Sequence, residues 1–218
     1  MKTKIYALVA LVFFLLLGLT GPVKSAVTMT DITRSEFDAF AANTTTVSWS
    51  ITLYPGASGG IFFPEVRVYR SDGTSVLLNH DWHKPEQVVL SYNAAGKLSL
   101  GVGSTIADIY PLLGVNALAF QIKDDSVGPT VLEGNLFNGV SVRNLFADDP
   151  SEMNVTYDQV LVTGFSDTFE YSGALDMGRD GLSAGTSSYL KIIGFSVPEP
   201  SSAILLFFGA LIFARRKR

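Results

Sequence analysis

The chain contains no cysteine, two histidines and two tryptophans in 218 residues. Without cysteine there is no structural disulfide, no thiolate metal site and no cysteine nucleophile. Both histidines, His80 and His83, sit in one short segment, and no G-x-S-x-G motif accompanies them. A serine hydrolase of the usual kind therefore has no marked nucleophile. Basic residues are scarce where a fold would form. Between Ala26 and Val197 nine basic residues face nineteen acidic ones, a net charge of about −10 that the whole-chain value of −4 conceals. A domain this acidic repels phosphate backbones, so no nucleic-acid partner is expected. No internal repeat and no alternation of strands with long helices is present, which argues against a solenoid and a parallel sheet.

Apolar runs are confined to the two ends. Met1-Lys2-Thr3-Lys4 is basic, fifteen almost wholly apolar residues follow (5–19), then Gly21-Pro22 and a short small-residue stretch. This order is that of a secretory signal peptide, residues 1–25, read by the general secretion machinery. Cleavage after Ser25 places Val23 at the −3 position. The run is shorter than the roughly 20 residues of a spanning helix, which disfavours an uncleaved anchor.

The other end has three parts in order. Pro198-Glu199-Pro200 excludes helix. Ser201-Ser202 and an apolar stretch (203–214) follow, and Arg215-Arg216-Lys217-Arg218 ends the sequence. Twelve helical residues reach about 18 Å, short of a hydrocarbon core of roughly 30 Å, so flanking serines and snorkelling arginines must complete the span. The basic cluster then stays cytoplasmic and acts as a membrane stop, with the preceding domain facing outward.

This tail, V-P-E-P-S-S followed by an apolar helix and a terminal basic cluster, resembles the PEP-CTERM sorting domain. The resemblance covers residues 197–218, with a helix short for the family. It implies recognition by an exosortase-type processing enzyme, with Pro198, Glu199 and Pro200 as the sorting motif. It also implies a transient stay in the inner membrane through the C-terminal helix. Release to the cell surface or an exopolysaccharide matrix follows, in a biofilm-forming Gram-negative bacterium.

The middle, residues 26–196, reads as one β-rich ectodomain of ordinary domain size. Val47, Trp49, Ile51 and Leu53 alternate with Ser48, Ser50 and Thr52, as in a half-buried strand. Residues 66–70 and 75–78 flank Asp72-Gly73, and 87–92 and 97–102 flank Asn93-Ala94-Ala95-Gly96, two hairpin signals. Further strands are expected near 118–123, 139–143, 155–163, 168–175 and 188–195, one or two helical turns at 35–42, and a long polar loop at 144–154. The pattern predicts an all-β, antiparallel β-sandwich or jelly roll between the signal peptide and the transmembrane sorting helix.

Candidate sites are few. His80-Asp81-Trp82-His83 gathers the densest reactive side chains, but Pro85 and the flanking strands argue against a helical metal site, and a polar loop is expected. Trp82 is the candidate for stacking on a sugar, since Trp49 belongs to an apolar strand face. Tyr54, Tyr69 and Tyr92 fall at strand ends or on polar faces. Asp124-Asp125, Asp148-Asp149 and Asp176 to Asp180 form acidic clusters that suit calcium chemically but lack EF-hand spacing, so solvated turns are expected and no cofactor is assigned. Paired carboxylates for glycoside hydrolysis have no signature in sequence. The expectation is a non-enzymatic surface or matrix protein, with carbohydrate binding to exopolysaccharide as the alternative and a glycan-active enzyme a distant third.

Overall fold

The computed structural model describes residues 27–43, 47–54, 57–58, 61–62, 65–70, 72–80, 85–110, 114–125, 129–148, 155–165, 168–177 and 188–197. The signal segment and the sorting tail lie outside the described residues. In chain order the strands are β1 (Thr28–Asp31), β2 (Val47–Tyr54), β3 (Ala57–Ser58), β4 (Ile61–Phe62), β5 (Glu65–Arg70), β6 (Ser75–Asn79), β7 (Glu86–Tyr92) and β8 (Leu98–Val102). Then come β9 (Thr105–Ile109), β10 (Ala117–Asp125), β11 (Thr130–Phe137), β12 (Val140–Ser141), β13 (Leu145–Ala147), β14 (Val155–Thr163), β15 (Phe169–Met177) and β16 (Tyr189–Phe195). One helix, α1 (Arg34–Ala42), joins β1 to β2.

The first large sheet runs β1-β14-β10-β16-β2-β5-β6 and the second β12-β11-β15-β7-β8-β9, with β13 beside β12 along β11; β3 and β4 pair alone. Every pairing is antiparallel. The apolar faces of both large sheets meet in one core, with Trp49, Ile51, Phe120 and Ile192 from the first and Leu90, Leu100, Tyr171 and Leu175 from the second. Period-two alternation is what allows this, since each strand sends every second side chain inward.

The β16 strand keeps that alternation but is covered on both faces. Leu190 and Ile192 enter the main core, while Ile193 and Phe195 are also buried, in a second cluster with Phe37, Ala117 and Ala119. Helix α1 covers the outer face there. Its start is fixed by a capping box: the Thr33 N–H donates to Glu36 Oε2 at 2.7 Å and the Glu36 N–H to Thr33 Oγ1 at 3.3 Å.

Several expectations need correction. A register shift at Gly194/Phe195 breaks the face of β2, so Val47 packs under α1 instead of beside Trp49. Residues 144–154 are not one polar loop, because Leu145–Ala147 forms β13 with Leu145 and Ala147 buried. The strand expected over 139–143 shrinks to Val140–Ser141. Tyr92 is core, stacked on Phe169 with ring centroids 5.9 Å apart. The Asn93 turn is as read: Asn93 Oδ1 accepts from the N–H groups of Ala95 and Lys97 at 3.0 and 3.1 Å.

Candidate functional site

Trp82 falls in segment 81–84, outside the described residues, and so do Pro198, Glu199, Pro200, Arg215, Arg216, Lys217 and Arg218. The attachment points of both segments are described. Segment 81–84, which contains Trp82, follows His80 at the end of β6 and precedes Glu86 at the start of β7. His80 is buried, which corrects the expectation that it belongs to a polar loop. Its Nδ1 lies 2.8 Å from Thr105 Oγ1 and its Nε2 3.2 Å from Glu86 Oε2, itself buried. A polar knot thus ties the end of β6 to β7 and β9. At the tail, the Asn116 side chain clamps the backbone of Val197: Oδ1 accepts the Val197 N–H at 2.7 Å and Nδ2 donates to the Val197 carbonyl at 2.8 Å. The Asn116 N–H donates to the Phe195 carbonyl.

A polar and aromatic band crosses the outer face of the first sheet, beside the N-terminal half of α1. Strand pairing sets it. Lys123 stands between Tyr157 and Tyr189 in register. One step along the strands, Gln159, Gln121, Lys191, Thr52, Arg67 and Leu77 form a continuous cross-strand row. Cations and rings interleave across it: Arg34 Cζ lies 4.5 Å from the Tyr157 centroid, Lys123 Nζ 5.7 Å from Tyr189, Lys191 Nζ 5.9 Å from Phe37 and Arg67 Cζ 5.9 Å from Tyr69. The Tyr189 hydroxyl donates to Gln121 Oε1 at 2.7 Å. Burial pushes the Tyr189 hydroxyl up to about 12, with Tyr157 adding to the shift, so it stays protonated and donating. Desolvation pulls the Lys191 ammonium below its usual value, and Asp38 opposes this.

Neither a protein-family model nor a curated protein matches this chain.

The band offers ring faces, amide and hydroxyl groups, and ammonium and guanidinium donors. Sequence reasoning singled out Tyr54 and Tyr69 but not Tyr157 or Gln121. The alternation of Leu118, Phe120 and Ile122 with Ala119, Gln121 and Lys123 marked a polar face, yet only the strand order placed it between two tyrosines. The acidic clusters sit differently from the expected loops. Asp124 lies buried near the end of β10 and Asp176 lies within β15. Among the described residues no three His, Asp or Glu side chains gather as metal ligands, and no helix is long and apolar enough to cross a membrane.

Proposed function

We propose that this chain is an exported cell-surface or exopolysaccharide-matrix protein of a Gram-negative bacterium, a PEP-CTERM protein acting by interaction and not by catalysis. The general secretion machinery reads residues 1–25. Residues 26–196 form a β-sandwich or jelly-roll ectodomain. Residues 197–218 hold it transiently in the inner membrane until an exosortase-type enzyme processes it. The observation that carries this reading is the tripartite tail, with its Pro198-Glu199-Pro200 motif, apolar segment and Arg215-Arg216-Lys217-Arg218 stop. The Asn116 clamp supports it, because the folded domain is secured up to Val197 and the motif begins at the next residue.

A second reading, a carbohydrate-binding module, is supported by the Tyr157–Lys123–Tyr189 band. Aromatic faces on a sheet cover sugar rings at low entropic cost, and the flanking amides and cations supply directional donors. Trp82 remains a further stacking candidate on this reading.

The export half has a direct test. N-terminal sequencing of the protein recovered from outside the inner membrane is expected to begin near Ala26 or Val27, just ahead of β1 at Thr28. Recovery of chains beginning at Met1 overturns the signal-peptide assignment.

A further inference from the structure

Of the six basic residues whose side chains the structure describes, four (Arg34, Arg67, Lys123 and Lys191) lie in or beside the outer-face band. Arg34 Nε is 3.6 Å from Asp38 Oδ2, Lys97 Nζ is 2.8 Å from Asp108 Oδ2, and Arg143 bridges Asp31 and Asp158. Lys191 is different. It is half-buried, aligned with Gln121 on one side and Thr52 on the other, and among the described residues no carboxylate lies within ion-pair distance of it. Asp38 acts on it only from beyond ion-pair distance, so its burial carries a cost that an incoming anion reduces. Beside it, the amide nitrogens of Gln121 and Gln159 are buried without hydrogen-bond partners among the described residues.

We propose that this band binds an anionic polysaccharide, with sugar rings against Tyr157 and Tyr189 and carboxylate or sulfate groups on Lys123, Lys191 and Arg67. The inference rests on the carbohydrate-binding reading and adds the class of sugar and the place where it binds. Geometry suits a chain. Strands lie about 4.8 Å apart, so Tyr157 and Tyr189, two strands apart with Lys123 between them, are separated by about 10 Å. That repeat lets rings and a cation alternate along a polymer running across the strands. Carboxylate and sulfate esters share the chemistry that ammonium and guanidinium donors recognise. Screening by salt then separates charge-led binding from stacking alone.

The test uses full-length protein in a neutral detergent with four soluble polymers: polygalacturonate, dextran sulfate, unmodified dextran and poly-glutamate. Binding to polygalacturonate or dextran sulfate is expected, at least about tenfold tighter than to dextran or poly-glutamate, and at least about tenfold weaker when salt rises from about 0.05 to 0.5 M. Lys123→Gln combined with Lys191→Gln is expected to weaken it about tenfold or more. Arg67→Glu, at the open end of the row, is expected to weaken it at least about fivefold, and decides the matter should the double variant melt early. Binding to dextran alone overturns the anionic inference and leaves the carbohydrate reading standing. Equal binding to poly-glutamate overturns the sugar component. Binding to none of the four overturns both readings, and anion binding unmoved by any folded variant places the site elsewhere and overturns this one.

Discussion

Trp49→Ala is expected to destabilise the domain by about 3–5 kcal/mol, because the indole fills a closed space that the surrounding strands cannot collapse into. Trp49 is fully buried on β2 and faces Gly194 of β16 in register. A methyl group at position 194 would overlap the indole atoms Cε2 and Cζ2, so Gly194 is the seat on which the ring lies. Gly194→Ala is the reciprocal perturbation and overpacks the same space, at about 1–3 kcal/mol or more. The indole Nε1 is buried without a hydrogen-bond partner among the described residues, so its removal carries no lost bond. Trp49→Phe, which removes that donor and keeps most of the ring, is therefore expected to cost clearly less than Trp49→Ala. Urea or guanidinium unfolding measures all three. A cost below about 1 kcal/mol for Trp49→Ala would show that this side chain does not organise the core.

Asn135→Ala is expected to cost about 3–5 kcal/mol, by a different route. The β11 strand carries a bulge between Glu133 and Leu136, where Gly134 takes a φ of +61° that few other residues adopt. Asn135 turns inward there and is almost fully buried. Its Nδ2 donates to the carbonyls of Leu132 at 2.9 Å and Arg143 at 3.0 Å, and its Oδ1 accepts the Tyr171 hydroxyl at 2.7 Å. Truncation removes three hydrogen bonds, two of them buried, and loss of a buried partner costs about 1–3 kcal/mol. The network also reaches the first sheet. Arg143, whose carbonyl Asn135 holds, donates through Nε to Asp31 at 3.0 Å and through Nη1 to Asp158 at 2.7 Å. Asp158 in turn accepts the Phe146 N–H at 2.8 Å, tying β13 to β14. Tyr171→Phe removes only one of these bonds and is expected to cost about 1–2 kcal/mol. Equal losses for Asn135→Ala and Tyr171→Phe would contradict the network.

These two residues also mark what could be read before folding. Trp49 was legible, because it sits in a run whose alternation is unbroken from 49 to 53. The strands β5, β7, β14, β15 and β16 were legible for the same reason. By contrast, β11 was not, since Gly134-Asn135 within T-V-L-E-G-N-L-F reads as a turn and the bulge absorbs it. The three residues of β13 are too few to show a period, and β1 carries a single apolar residue, Met29, against the core. The burial of Tyr92 and His80 came from partners distant in sequence, Phe169 and Thr105. The band is the sharpest case. Lys123, Tyr189 and Lys191 each sit on a recognisable polar face, but the order β14-β10-β16 that sets Tyr157, Lys123 and Tyr189 abreast is non-local and leaves no trace in spacing. The proposed sorting tail rests on three contiguous parts of the sequence and lies outside the described residues.

That tail also carries the central proposal, so its deletion is the most direct test. The full-length chain and a variant lacking residues 201–218 are expressed in a host with an exosortase-type enzyme, and each is followed by intact mass and by fractionation into inner membrane, surface and matrix. The full-length chain is expected to pass through the inner membrane and appear at the surface or in the matrix, shortened near Pro198-Glu199-Pro200. The deleted variant is expected to leave that route, unprocessed at the motif and without a membrane-bound stage. Identical final mass and location for the two proteins would contradict the account.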